Sequence, residues 1–212
     1  MNYDTESLTD VTALLRDSVF ASPPGVALSR GPHGLRLIVT RPYRAGEVIY
    51  ESPWWTVPDE DHEFMAVVIV NNRPEPVTIT RMHSVRYDDT RSLDIPGCFM
   101  NHSCDPSSYT RDIVHPGEQF ASTYEQIATR DLAPGDEITC DYTLFDWDCD
   151  GHTFECTCGS ANCYGRVAGF VALPRDLQER LAPFTLYETE RMWKETKISG
   201  LTAGQATDPS GG

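Results

Sequence analysis

The chain predicts a mainly β domain finished by short helices, and three observations carry that prediction. Apolar residues alternate with period two in short runs between Val26 and Asp141, and clusters of Gly, Pro, Asn and Asp cut the runs apart. Helical spacing dominates only near the C-terminus, from Leu173 to Lys197. Between the two regions, Cys156-Thr157-Cys158-Gly159-Ser160-Ala161-Asn162-Cys163 places three thiols within eight residues.

In chain order, Leu8, Val11, Leu14, Leu15 and Val19 share helical spacing, so the stretch 8–20 reads as a short amphipathic helix ended by Pro23-Pro24-Gly25. From Val26 the period becomes two. Runs of Leu, Ile and Val at Gly34–Thr40 and Glu47–Glu51, separated by Pro42 and Gly46, read as a hairpin-like pair. Further strands are expected at Met65–Val70, Val77–Arg81, Ser122–Ala128 and Glu137–Asp141, with turns at Asn71-Asn72, Asp88-Asp89 and Ala133-Pro134-Gly135-Asp136. Leu177, Leu181, Phe184, Tyr187 and Met192 then recur at helical intervals, and Pro183 divides that stretch into two helices expected to pack on the body. The tail 200–212 is rich in Gly, Thr and Ser and is expected to be disordered. No internal repeat is visible.

A chain of 212 residues with 40% hydrophobic content is long enough for one domain with a real core. It holds no run of about 18 apolar residues, and it opens MNYDTESLTD, so neither membrane insertion nor secretion is expected. A cytoplasmic place follows, or a nuclear one in a eukaryote. The net charge of −15, from 32 acids against 17 bases, argues against nucleic acid, whose phosphates need a basic face. Such acidity either keeps the protein soluble or attracts a basic partner.

Seven cysteines, at 98, 104, 140, 149, 156, 158 and 163, suit reduced thiols and a metal better than a disulfide frame. Three thiolates from Cys156, Cys158 and Cys163, with Gly159 letting the backbone fold back, suit tetrahedral zinc. A fourth ligand is available from Cys104 or from Cys149, the nearer in sequence. A site closed by four thiolates holds shape and does not activate water. Cys98 and Cys140 sit among apolar or strand residues and read as small core residues. His62-Glu63-Phe64-Met65-Ala66 begins like a zinc-protease helix but ends in alanine where the second ligand belongs. Asn101-His102-Ser103 matches a glycosylation sequon, without significance in a chain that is not secreted. There is no phosphate loop and no Gly-x-Gly-x-x-Gly after a strand.

Five segments resemble the SET-domain methyltransferases in order and spacing: Gly31-Pro32-His33-Gly34-Leu35, Gly46-Glu47-Val48-Ile49, Asn101-His102-Ser103-Cys104-Asp105-Pro106, Gly135-Asp136-Glu137-Ile138 with Asp141-Tyr142, and the cysteine cluster, which looks like that family's post-SET segment. The resemblance divides the chain into a helical flank at 1–24, a SET domain at 25–145, a zinc-binding segment at 146–170, helices at 171–199 and the tail. It implies a β-clip of small curved sheets in which the Asn101–Cys104 segment and the strand ending at Tyr142 form a pseudoknot. It implies S-adenosylmethionine held by the backbone around His33 and Gly34, by Asn101 and His102, and under Phe154. It also implies zinc at Cys104, Cys156, Cys158 and Cys163, so that Cys104 replaces Cys149 as the expected fourth ligand.

The implied activity is N-methylation, most directly of a lysine side chain in a basic protein or peptide. Tyr142 would orient amine and methyl through its hydroxyl. A lysine ammonium titrates near ~10.4, and an apolar channel beside a cationic cofactor disfavours its charge, so the amine can reach the neutral form that the reaction needs. The chain departs from the family at several positions. Pro32 replaces the first glycine of a Gly-x-Gly pair, and His33 a frequent aromatic. Cys98 stands for an arginine, Ser107 for an asparagine and Ser52 for a channel tyrosine. Cys140 stands where an aromatic often limits methyl number, so di- or trimethylation is sterically allowed. Two alternatives stay open: a small-molecule amine methyltransferase, and a SET-fold binding module without turnover.

Overall fold

The structure is a computed structural model and describes residues 18–58, 63–87, 90–118 and 121–199. Tight turns set its first strands. Asn71 and Asn72 both take left-handed backbone, φ 49° and 62°, the combination a two-residue hairpin turn requires. They join Glu63–Val70 to Arg73–Thr80 in register Val70↔Arg73. Pro32-His33 likewise joins Val26–Gly31 to Gly34–Val39, with Gly31 opposite Gly34. In chain order the strands are β1 (Val19–Phe20), β2 (Val26–Gly31), β3 (Gly34–Val39), β4 (Val48–Pro53), β5 (Trp55–Pro58), β6 (Glu63–Val70), β7 (Arg73–Thr80), β8 (Val85–Tyr87) and β9 (Thr90–Leu93). There follow β10 (Asn101–His102), β11 (Ser108–Ile113), β12 (Thr123–Ala128), β13 (Glu137–Cys140), β14 (Phe154–Glu155) and β15 (Arg166–Val167), then helices α1 (Arg175–Leu181) and α2 (Tyr187–Ser199).

The strands form four small sheets. The largest runs β1-β6-β2-β3-β13-β10, with β7 on β6, and the others are β11-β12-β4, β5-β9-β8 and β14-β15. Alternation along β6, where Phe64, Ala66, Val68 and Val70 are buried, and along β2 and β3 turns one face of each strand into a common core with Tyr50, Leu93, Tyr124 and Ile138. This is the mainly β architecture expected from the alternating runs.

Two expectations need correction. The runs at 34–40 and 47–51 do not pair with each other: β3 pairs with β2 and β13, whereas β4 pairs with β12. The turn near Pro42 is real, but it carries the chain between sheets, anchored by the bridge of Tyr43 to Leu132. Val19 and Phe20, expected to end a helix, instead pair with Val67 and Val68 as β1; residues 8–17 of that stretch lie outside the described residues, as do Asp88-Asp89, His62 and the tail 200–212. Glu63–Ala66 is strand, so the protease-like motif has no helix to stand on.

The C-terminal stretch forms two helices around Pro183, as its periodicity predicts, and Leu177 and Leu181 pack against a second core as expected. Phe184 and Tyr187 are instead exposed, and Trp193, Gln178 and Leu186 are the buried residues. Trp193 meets Phe170 edge to face at 5.7 Å in a second core with Leu144 and Leu173, and Gln178 Nε2 donates to the Phe170 carbonyl at 2.9 Å. Leu186 N–H reaches the Leu144 carbonyl at 3.0 Å, which docks α2 beside the segment carrying Tyr142.

The crossing that positions the site is made by β10 and β13. They pair in parallel, Asn101 with Thr139 and His102 with Cys140. Ser107, wholly buried, accepts from Thr139 N–H and donates to the Glu137 carbonyl, both at 2.8 Å. The 101–108 segment is therefore bound to β13 at both ends, and Tyr142 follows immediately. Among the described residues no helix is long and apolar enough to cross a membrane.

Candidate active site

The Sγ atoms of Cys104, Cys156, Cys158 and Cys163 all lie within 4.8 Å of one another, and those of Cys104 and Cys156 are 3.6 Å apart. A tetrahedron with metal–sulfur bonds of about 2.3 Å has edges of about 3.8 Å, so the cluster has the dimensions of a metal site. Gly159, at φ +73°, lets the loop turn back, and Cys163 N–H closes it on the Ser160 carbonyl at 3.2 Å. Two amides already face sulfur: Tyr164 N–H points at Cys104 Sγ at 3.3 Å, and Gly165 N–H at Cys163 Sγ at 3.4 Å. Such donors stabilise thiolate and orient ligands. Burial raises the Cys158 thiol, yet hydrogen bonds from Ser160 and the Cys104 backbone outweigh it and bring the group down to about 6. Four sulfurs, amide donors and tetrahedral spacing fit a thiophilic metal.

Cys149 does not join them. Its backbone takes φ 54°, its N–H donates to Asp146 Oδ1 at 3.0 Å, and it lines a different cavity together with Cys98 and Cys140. Burial pushes the thiols of Cys98 and Cys140 well up and keeps them protonated.

A cleft of about 620 Å³ lies against the cluster, lined by His33, Asn101, His102, Tyr142 and Phe154 and by Cys156 to Cys158. Gly34 is outside that lining; it sits at φ +103° where the β2–β3 turn ends. Asn101 is fixed by donating to Glu137 Oε1 at 2.7 Å and to the Leu35 carbonyl at 3.4 Å. His102 accepts at Nδ1 from Tyr142 N–H at 3.1 Å, so its proton sits on Nε2, 3.2 Å from Cys104 Sγ. Burial holds this imidazole below its usual value, with Asp141 opposing.

A second cavity, of about 500 Å³, has Tyr142 and Phe154 in common with the cleft. Tyr142 thus faces two spaces. Its hydroxyl donates to the Met100 carbonyl at 2.7 Å, which turns the oxygen lone pairs away from that bond. Burial, then nearby Cys140, raises the phenol, so it stays a neutral hydroxyl. Asp141 buttresses the position by accepting from Thr143 Oγ1 at 2.8 Å and from Tyr164 OH at 2.7 Å, which joins this turn to the cysteine loop.

Two groups in the second cavity escape sequence reasoning. Asp94 accepts from Ser52 Oγ at 2.6 Å and from the hydroxyl of Tyr124, which contacts Tyr50 OH at 3.2 Å. Asp150 gathers Arg91 at 2.9 Å and Arg81 and Arg86 at 3.1 Å each. No periodicity or spacing marks either, because their partners come from strands far apart in sequence.

Small strand-built sheets, a four-thiol cluster and two cavities sharing one phenol define the class of this molecule. Residues 34–143, more than half of the 212, match the family model described as SET domain, and the chain belongs to the SET-domain family. Histone-lysine N-methyltransferase ATX2 of Arabidopsis thaliana is 29% identical over 138 residues, covering 65% of this chain and 12% of that protein. Methyltransferase flvH of Aspergillus flavus is 33% identical over 109 residues, covering 50% of this chain and 49% of that protein. The chain spans less than half the length of either relative. A crystal structure from Plasmodium falciparum covers 55% of this chain and 96% of its own, with a TM-score of 0.39 and 16% identity.

Proposed function

We propose that this chain is an S-adenosylmethionine-dependent N-methyltransferase acting on a lysine side chain of a basic protein or peptide, with structural zinc at Cys104, Cys156, Cys158 and Cys163. One observation carries the reading: a polar cleft and a more apolar cavity share Tyr142 and Phe154 in their linings, as a donor and an acceptor entering from two sides require. Four thiolates leave zinc no open position, so its part is to hold the loop. Among the relatives, ATX2 carries a histone-lysine activity in its name, which favours a protein lysine.

When bound, S-adenosylmethionine supplies a methyl group on a sulfonium for in-line displacement by a neutral amine. Asn101 and His102 line the donor side, both held rigid by their own hydrogen bonds. Phe154, 42% exposed, forms a rim there, its ring edge-on to His102 and Tyr142. Tyr142, its proton committed to Met100, accepts from the incoming amine and aligns it. The second cavity strips water from the amine, which disfavours its charged form.

Tyr142→Phe removes the oxygen and keeps the ring. We expect methyl transfer to fall about a hundredfold or more, with S-adenosylmethionine affinity by calorimetry unchanged; wild-type turnover in this variant refutes the role. Labelled donor offered with a histone-derived peptide and with free diamines separates acceptors. Label on the diamine alone supports the small-molecule reading, and cofactor binding with no label on either supports the binding module.

A further inference from the structure

Asp94 sits in the wall of the second cavity, 3% exposed, and no cation of the protein answers its charge among the described residues. Asp150, in the same wall, is met by three arginines. The fold makes room for the Asp94 carboxylate: a Cβ on Gly97 would lie 1.7 Å from Oδ2 and 2.6 Å from the Tyr124 hydroxyl, so only glycine fits there. Three donors hold it, the hydroxyls of Ser52 and Tyr124 and the Gly97 amide. A carboxylate offers about four acceptor directions, and one is left for a ligand. Ser52 stands where the family resemblance expects a channel tyrosine, and with the smaller residue there it is a carboxylate that faces the space.

Resting on the methyltransferase reading, we infer that Asp94 selects a cationic primary amine on an unbranched arm and takes its proton. The apolar walls of the cavity, with Met100, Cys98, Cys140 and Phe145, suit such an arm. The step balances as R–NH3+ plus Asp94–COO− giving R–NH2 plus Asp94–COOH: one N–H bond breaks, one O–H bond forms, and a buried ion pair becomes two neutral groups. Desolvation favours that direction, because the charged forms lose most on leaving water. Burial also holds the Asp94 carboxyl above the usual carboxylate range, against the pull of its donors. Methylation then proceeds on the neutral amine, and the proton leaves to solvent with the product.

The test separates recognition from turnover. A lysine peptide and its norleucine counterpart compete for the full chain loaded with S-adenosylhomocysteine. Wild type should prefer lysine by about ten- to hundredfold, the range of a hydrogen bond to a charged group, and Asp94→Asn should lose that preference while keeping cofactor affinity. Retained preference in Asp94→Asn overturns the inference. Should that variant not fold, Asp146→Asn decides, since Asp146 is another carboxylate of this wall, held by the amides of Asp148 and Cys149: retained lysine preference in Asp146→Asn, with inhibition of binding by n-butylammonium but not by 1-butanol, supports Asp94, and loss of the preference or equal effects overturn it. Methylation by a wild type without ammonium preference sinks this inference alone, whereas ammonium preference without any methyl transfer sinks the methyltransferase reading alone.

Discussion

Removing one sulfur far from the cysteine loop should uncouple the loop from the body. Cys104 and Cys156 are separated by 52 positions, and an ion shared by the cluster would close that span. Treated as a cross-link, a loop of this length restricts the unfolded chain by about 4 kcal/mol at 25 °C. Cys104→Ala abolishes the long closure but leaves three thiols within one turn. At about 2–4 °C per kcal/mol for a chain of this size, the melting temperature of the zinc-loaded variant should fall by roughly 8–16 °C. Differential scanning calorimetry with matched metal analysis measures it, with and without chelator. Chelation should lower the wild type by a similar amount and the variant by much less, because the variant has already lost the long link. Cys149→Ser, which changes a thiol outside the cluster, should keep one zinc per chain. A variant at Cys104 that melts with the wild type, or a loss of metal on changing Cys149 instead, refutes the shared-ion reasoning.

Gly97→Ala drives a methyl group into the Asp94 carboxylate and should break its bonds to the Gly97 amide and the Tyr124 hydroxyl, a loss of about 3–6 kcal/mol at 1.5–3 per charge-assisted bond, read by urea unfolding. Denaturation midpoints of Asp150→Asn should show about 3 kcal/mol lost at pH 7, because Arg91, with a side chain 4% exposed, then loses its buried ion pair to Asp150. Burial raises the Asp150 carboxyl, but Arg91, Arg81 and Arg86 outweigh it and set it below its usual value. A depressed carboxyl gives its full stabilisation above the unfolded value of about 3.9 and loses it as the pH falls through the folded value. The wild type should therefore weaken below about pH 4 more steeply than Asp150→Asn, and parallel acid curves for the two contradict the assignment.

What could be read from the sequence follows the range of the interactions that build each feature. Asn71-Asn72 announces the β6–β7 hairpin because a two-residue turn is a local demand on φ. Partners of β3 and β4 could not be read that way, since both runs alternate alike and strand pairing is chosen by the whole sheet. Strands of two residues, such as Asn101–His102 and Phe154–Glu155, are too short to show a period at all. The three clustered cysteines are legible from spacing. Proximity alone points to Cys149 as the fourth, but its left-handed turn beside Asp146 sends it to the other cavity. In the C-terminal helices the 3.6 period gives the elements and the packed positions Leu177 and Leu181 but misses Gln178, which is buried by donating to the Phe170 and Val171 carbonyls rather than by being apolar. Asp94 had no signal: its holders come from positions 52, 97 and 124.

The cysteine cluster and Tyr142 are mechanically one unit. Tyr142 is held at its hydroxyl by the Met100 carbonyl and at its backbone N–H by His102 Nδ1, and both holders belong to the five residues Met100 to Cys104. That segment ends in a sulfur of the cluster, and His102 Nε2 already faces that sulfur. From the other side, the cysteine loop reaches back through Tyr164, whose hydroxyl binds Asp141, the residue before Tyr142. An ion at the four sulfurs would therefore fix both ends of a short closed circuit, Tyr142 to Met100–Cys104 to the loop to Tyr164 to Asp141. Positioning a phenol to a fraction of an ångström needs supports that are themselves locked, and this circuit supplies them. It also explains how Ser52, Cys98 and Cys140 can stand in the second cavity's wall while the phenol stays put: its two direct holders, the Met100 carbonyl and His102 Nδ1, involve none of those side chains.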